Sequence, residues 1–170
     1  MTGTRWLDAD EQRAWRAYLQ MQARLTARLG RQLQADAGLS LADYHVLVQL
    51  TEAPDGRLRP YELQRSLEWE QSRLSHHLAR MQRRGLVGRE ECPSDARGAF
   101  VVITDAGRRA IETAAPGHVD AVRRYFLDGL DRGQLAELER LATQVIERLG
   151  QDACPAEAGR CPDEPADAGR

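Results

Sequence analysis

Apolar residues recur at helical spacing from the start of the chain. Trp15, Tyr18, Leu19, Leu25, Leu29 and Leu33 predict one long helix over residues 1–38. Asp8, with Glu11 three residues on, forms a capping-box pattern with Asp in place of Ser or Thr, and Gly38 closes the element. Ser40 caps a second helix with Asp43 at its N3 position; Leu41, Tyr44, Val46, Leu47 and Leu50 supply its apolar contacts. Pro54-Asp55-Gly56 marks a loop over residues 53–59. Pro60 fits the first position of a short helix running to Leu67. After a turn at 68–70, another helix runs from Gln71 to Arg84 and ends at Gly85. The period then changes. Residues 86–91 and 99–103 are rich in Val and Ile and flank Pro93-Ser94-Asp95-Ala96-Arg97-Gly98, a turn sequence, so they predict a hairpin. Thr104 caps a helix carrying Ile111, Val119, Val122, Phe126 and Leu130, kinked at Pro116-Gly117. Asp131 with Gln134 caps the last helix, whose Leu135, Leu138, Leu141, Val145 and Leu149 lie close to a heptad seam.

The predicted order is helix, helix, helix, helix, hairpin, then two more helices. The middle of that order is a winged helix-turn-helix. The expected fold is therefore mainly α, with six helices and one β-hairpin. A winged-helix domain covers residues 1–150, with its central lobe at about 40–104. Long flanking helices at about 8–37 and 105–149 lack apolar partners inside the small middle unit. They are expected to pack on each other and on a second copy. From residue 151 to 170 the composition shifts to Pro, Ala, Gly and acids, which cannot bury enough apolar surface to fold alone.

Charge sharpens this picture. The chain of 170 residues has a net charge of −2, yet residues 57–109 hold eleven Arg against seven acids. That segment is net +4, which leaves −6 for the remainder. Such segregation predicts one basic face on an acidic body. All 24 basic residues are Arg, which GC-biased codon usage explains without function; even so, every cationic contact is a planar fork suited to phosphates and guanine edges. No stretch approaches the roughly 20 apolar residues of a membrane span, and the acids at 8, 10 and 11 spoil a signal pattern, so a cytoplasmic location is expected.

The helix over 71–84 carries the candidate chemistry. Leu74, Leu78 and Met81 form its inward stripe. Gln71, Ser72, Arg73, Ser75, His76, His77 and Arg80 occupy the other side, near a helix N-terminus that attracts phosphate. The first residues of such a helix meet base edges in the major groove of duplex DNA, and Arg73 suits bidentate contact with guanine. At the hairpin turn, Arg97 can reach a narrow minor groove while Asp95 holds the loop; an ordinary polar turn is the alternative. Arg83, Arg84 and Arg89 face phosphates or solvent.

The run Arg80-Met81-Gln82-Arg83-Arg84-Gly85-Leu86-Val87, then Asp95-Ala96-Arg97-Gly98 and Ile103-Thr104-Asp105-Ala106-Gly107, resembles the MarR family of bacterial regulators. The resemblance covers about residues 8–149. Trp69-Glu70 and Ser75-His76-His77 are most similar to actinobacterial members. It implies a homodimer held by the terminal helices, binding a pseudo-palindromic operator, commonly as a repressor. It places the recognition helix at 71–84 and the wing arginine at Arg97. It also implies a small phenolic or aromatic carboxylate effector bound between the dimer region and the DNA-binding lobe, with no other cofactor. The acidic tail departs from the family pattern.

Trp15, Tyr18, Tyr44 and His118 are either core residues or the lining of that effector pocket. Cys92, Cys154 and Cys161 have no activating neighbours in sequence, and His76-His77 point about 100° apart on a helix, so no metal site is expected. No nucleophile elbow, phosphate-cradling Gly loop or His-Glu-x-x-His pattern is present, so an enzyme is not expected. A fold relative that binds protein instead of DNA would have lost the Arg and Ser residues of the recognition face, and this chain keeps them.

Overall fold

A computed structural model of the chain describes residues 3–92 and 95–152; of residues 91, 92, 95–98, 151 and 152 it describes the backbone alone. The elements are α1 (Ala9–Ala37), α2 (Leu41–Glu52), a short 3-10 turn (Pro54–Gly56), β1 (Arg57–Leu58), α3 (Pro60–Leu67), α4 (Gln71–Arg83), β2 (Val87–Cys92), β3 (Asp95–Ile103), α5 (Asp105–Val122) and α6 (Arg132–Asp152). Among the described residues the architecture is mainly helical, with six helices and one small antiparallel sheet in a winged-helix arrangement. Two compact units divide the chain, Met1–Phe126 and Leu127–Arg170.

Local side-chain chemistry starts most of the helices. Asp8 and Glu11 form a reciprocal box at α1: the Asp8 carboxylate accepts from the Glu11 N–H at 2.9 Å, and Glu11 accepts from the Asp8 N–H at 2.9 Å. Residues 3–8 precede the helix rather than extend it. Ser40 and Asp43 repeat the device at α2, at 3.0 and 2.9 Å. Thr104 Oγ1 accepts from the Gly107 N–H at 3.0 Å at α5, and Asp131 pairs reciprocally with Gln134 at α6. These bonds satisfy amides that the first helical turn leaves unpaired. Gly38 closes α1 with a left-handed φ of 64°, which a residue with a Cβ adopts only under strain. Gly85 ends α4 in the same way.

The core lies where α1, α2, α4 and the sheet converge. Leu33, Leu39, Val46, Leu47, Leu50, Leu63 and Met81 are fully buried, joined by Leu74, Leu78, Val87, Val101 and Ile111. Leu74, Leu78 and Met81 are the inward stripe expected of α4. α5 enters this core at a close approach: a Cβ on Gly107 would lie 2.1 Å from the Leu86 carbonyl oxygen, so only glycine fits.

Three features differ from expectation. The segment 53–59 is not merely a loop: Arg57 and Leu58 pair with Val102 and Val101, making a three-stranded sheet in the order β1-β3-β2. Two residues are too few to show a strand period, and their partners lie far along the chain. The hairpin is also longer than expected. β3 begins at Asp95, so the end of the predicted turn belongs to the strand, with Cys92 opposite Asp95 after an irregularity at Glu91. Finally, α5 continues through Pro116, and the irregular stretch comes later, as a π-helical turn at Arg123–Leu127. Glu112 and Pro116 are both exposed, so water can satisfy the carbonyl that the proline ring leaves unpaired. α6 runs on through Asp152, and the rest of the expected disordered tail lies outside the described residues.

The buried charge in this core is Asp43, 3% exposed. Arg84 Nη1 donates to its Oδ2 at 2.7 Å, and Arg84 Nη2 donates to the Gly38 carbonyl at 2.7 Å. Arg84 therefore does not simply face phosphate or solvent; it ties the end of α4 to the start of α2 and the end of α1. Burial alone would raise the Asp43 pKa. The His77 ring, the Ser40 backbone and hydroxyl, and the Arg84 guanidinium outweigh that effect and hold the carboxyl well below its ordinary 3.8. A depressed carboxylate stabilises the fold fully above its unfolded pKa and loses that contribution as pH falls through its folded value. Asp43→Asn should therefore destabilise the protein by about 2–4 kcal/mol at pH 7. In urea titrations of both proteins, that difference should shrink steadily below about pH 4. A difference independent of pH would mean that Asp43 contributes shape rather than charge.

Candidate nucleic-acid interface

α3 and α4 form the helix-turn-helix, and the hairpin of β2 and β3 is the wing. Glu68, at the end of α3, takes a left-handed φ of 52° without being glycine, and this redirects the chain into α4. Alone among the well-described helix starts, the N-terminus of α4 has no side-chain hydrogen bond onto its first amides and no acidic residue in its first turn. Its free N–H groups and the positive end of its dipole are left for an anion.

Gln71, Ser72, Arg73, Ser75, His76 and Arg80 are all exposed on α4, so the structure places these predicted contacts on one accessible side. His77 is the correction. It is 5% exposed and points inward, with Nε2 3.0 Å from Asp43 Oδ1. That N–H is off the line to the oxygen, so the contact is electrostatic rather than an aligned hydrogen bond. Residue 77 follows Leu74 by three and precedes Met81 by four, which puts it on the inward stripe. Its polarity masked this periodicity. Arg80 Nη2 donates to His77 Nδ1 at 2.8 Å, and the Arg73 guanidinium lies 4.5 Å from the centre of the Trp69 ring.

Beside α4 runs a groove of about 760 Å³, lined by Arg59, Tyr61, Gln64, Gln71, Ser75 and Arg89 over a floor that includes Leu78 and Phe100. Arg57 and Arg59 both stack on Phe100, at 5.1 and 4.7 Å from the ring centre. Asp55 and Glu90 flank Arg57 at 3.5 and 3.6 Å. Sequence reasoning missed Arg59, Tyr61 and Gln64 because the pairing of β1 with β3 is what brings the start of α3 against the wing. Asp95 and Arg97 lie on β3 at the far end of the hairpin, and their side chains lie outside the described residues.

The expected effector residues form two separate pairs. Trp15 and Tyr18 stack on α1 at 5.6 Å, and both are about half exposed. Tyr44 of α2 meets His118 of α5 at 4.4 Å. No ring contact joins the pairs among the described residues. His118 Nδ1 and Gln32 Oε1 are buried without hydrogen-bond partners. Burial pushes the pKa of Tyr44 up and those of His45 and His118 down; the nearby His45 lowers His118 further. Among the described residues no group of three or more His, Cys, Asp or Glu is placed to hold a metal ion, and no helix is long and apolar enough to cross a membrane.

Comparison with known proteins agrees with this geometry. A model described as the MarR family matches residues 37–98, the segment from the end of α1 into the wing. The crystal structure of AbsC, a MarR family transcriptional regulator from Streptomyces coelicolor, superimposes with a TM-score of 0.82 at 41% identity, over 87% of this chain and 99% of that one. Sco3205, a MarR family regulator from the same organism solved in complex with DNA, gives 0.81 at 42% identity, over 93% and 97%. The HTH-type transcriptional repressor YetL of Bacillus subtilis is 30% identical over 97 residues, which are 55% of this chain and 58% of that protein. With near-complete overlap at this identity and an open recognition helix beside a wing, the chain belongs to the MarR family of DNA-binding transcriptional regulators and is not an enzyme.

Proposed function

We propose that the protein is a homodimeric, ligand-responsive repressor that binds a pseudo-palindromic operator. The observation that carries this reading is the side of α4 described above: an uncapped helix start and Gln71, Ser72, Arg73, Ser75, His76 and Arg80, all exposed beside an arginine-lined groove. In this reading α4 enters the major groove, with Arg73 on a guanine edge. Arg97 reaches the flanking minor groove from the wing, with Asp95 supporting the loop. Arg59 and Arg89 follow the phosphate backbone along the groove. Gene regulation by DNA binding places the protein in the cytoplasm.

Dimerisation is supported by apolar surface that the single chain leaves uncovered. On α6, Leu141, Val145, Ile146 and Leu149 are exposed; on α1, so are Trp15, Tyr18 and Leu19. A second copy can bury such surface, and a two-fold dimer would set its recognition helices ~34 Å apart, one turn of duplex. For the effector, a small phenol or aromatic carboxylate is supported by the Tyr44–His118 pair with its unpartnered His118 Nδ1 and nearby histidine. A ligand hydroxyl or carboxylic acid can satisfy that nitrogen. The aromatic pair on α1 belongs to the uncovered surface rather than to this site. DNA-complexed and repressor relatives support the overall reading.

Binding to the intergenic duplex upstream of the gene, against scrambled competitor across a salt series, tests the operator. Arg73→Ala should lose about 1–3 kcal/mol and relax the preference at one base pair per half-site. Arg97→Ala should reduce the salt slope by about one if the side chain meets a phosphate. Unchanged affinities for both duplexes would remove these residues from the interface. For the effector, calorimetry with salicylate should give a binding isotherm for the wild type and none for His118→Ala; heat that persists in the variant would move the ligand elsewhere.

A further inference from the structure

Trp69 lies in the turn between α3 and α4, one residue after the left-handed Glu68, and its N–H donates to the Gln64 carbonyl at 3.1 Å. The backbone of the turn is thus held in a strained conformation that presents the indole at the start of α4. The ring is partly buried against the core. The buried side of the turn holds it through His77, whose ring meets it edge-on at 5.3 Å and 86°. The Arg73 guanidinium lies 4.5 Å from the ring centre.

His77 is itself buried between Arg80 and Asp43. Arg80 has no acceptor atoms, so its 2.8 Å contact requires a lone pair on His77 Nδ1 and puts the ring proton on Nε2, toward Asp43. An unbroken line of contacts therefore runs from buried Asp43 through His77 and Trp69 to an exposed arginine. Arginine on a helix surface ordinarily samples many rotamers and loses that freedom on binding. A guanidinium stacked on a fixed indole keeps its plane while its edge N–H groups stay available.

We propose that Trp69 is a positioning residue for sequence recognition. It pre-orients Arg73 on a platform fixed by His77 and Asp43, so that the arginine fork meets its base with little ordering left to do. The inference rests on the reading that Arg73 contacts a base. Filling the core would require only apolar bulk at position 69. Positioning Arg73 requires an aromatic face.

The test uses the full chain and a duplex enriched from a random pool by the wild-type protein, together with its single-base variants. Arg73→Ala should weaken binding about tenfold and level the preference at one base pair per half-site. Trp69→Leu should level the same base pair and weaken binding several-fold, whereas Trp69→Phe should retain most of the discrimination. Because Trp69 acts through Arg73, the double variant Trp69→Leu/Arg73→Ala should discriminate no worse than Arg73→Ala alone. Thermal melting of each variant reports folding, and Trp69→Phe carries the comparison if Trp69→Leu melts early. Discrimination kept in Trp69→Leu, lost equally in a folded Trp69→Phe, or lost additively in the double variant would overturn the positioning role. Failure to enrich a duplex, or an Arg73→Ala protein with unaltered preferences, would instead overturn the base-contact reading and this inference with it.

Discussion

One carboxylate, that of Asp43, organises the DNA-binding half of this protein. Removing a charge from water is expensive, and the fold tolerates it because each oxygen has a cationic or polar partner. The Ser40 backbone and Arg84 converge on one oxygen, and His77 approaches the other. Ser40 stands at the start of α2, whereas His77 and Arg84 lie in and at the end of α4. The same group that caps α2 thereby fixes both the middle and the end of α4, and Arg84 extends the tie to the Gly38 carbonyl that follows α1. The apolar core brings these helices together and sets which face of α4 turns inward. A buried charge with partners on α4 adds to that, because a turn of α4 about its axis would take His77 and Arg84 away from the carboxylate.

Much of this was legible in the sequence where the cause was local. The caps at Asp8, Ser40, Thr104 and Asp131 act over two or three residues, and each forms as the spacing implied. The inward stripe of α4 and the left-handed glycines at 38 and 85 follow from equally short-range rules. What was not legible depends on partners distant in the chain. Arg84 looks like any exposed arginine until Asp43, 41 residues earlier, is folded against it. β1 exists only because β3 lies beside it. The place of His77 is set by its position between Leu74 and Met81, which its polarity hides.

The candidate interface shows the same division. Its recognition side could be read from one helix, since exposure follows from periodicity. The groove beside it could not, because Arg59 at the start of α3, Gln64 on α3, Arg89 on β2 and Phe100 on β3 meet only in the folded unit. The segregation of charge was visible throughout: an acidic chain whose residues 57–109 hold eleven arginines against seven acids sets a field that favours approach of a polyanion by that segment.

The contact between Gly107 and Leu86 bears on how the wing can move. There the backbone of α5 touches the backbone that begins β2, and Thr104 Oγ1 lies 2.6 Å from the Gly85 carbonyl and 3.1 Å from that of Leu86. The base of the hairpin and the start of α5 thus meet in one closely packed joint. The nine residues of β3 run about 26 Å from this joint, through the part of the sheet that pairs with β1 and out to Asp95. Over that length a rotation of about 5° at the joint swings the tip by about 2 Å, comparable with the difference between a hydrogen bond and no hydrogen bond. A tilt of α5 too small to disturb its own packing is therefore geared up at the end of the hairpin that carries Arg97.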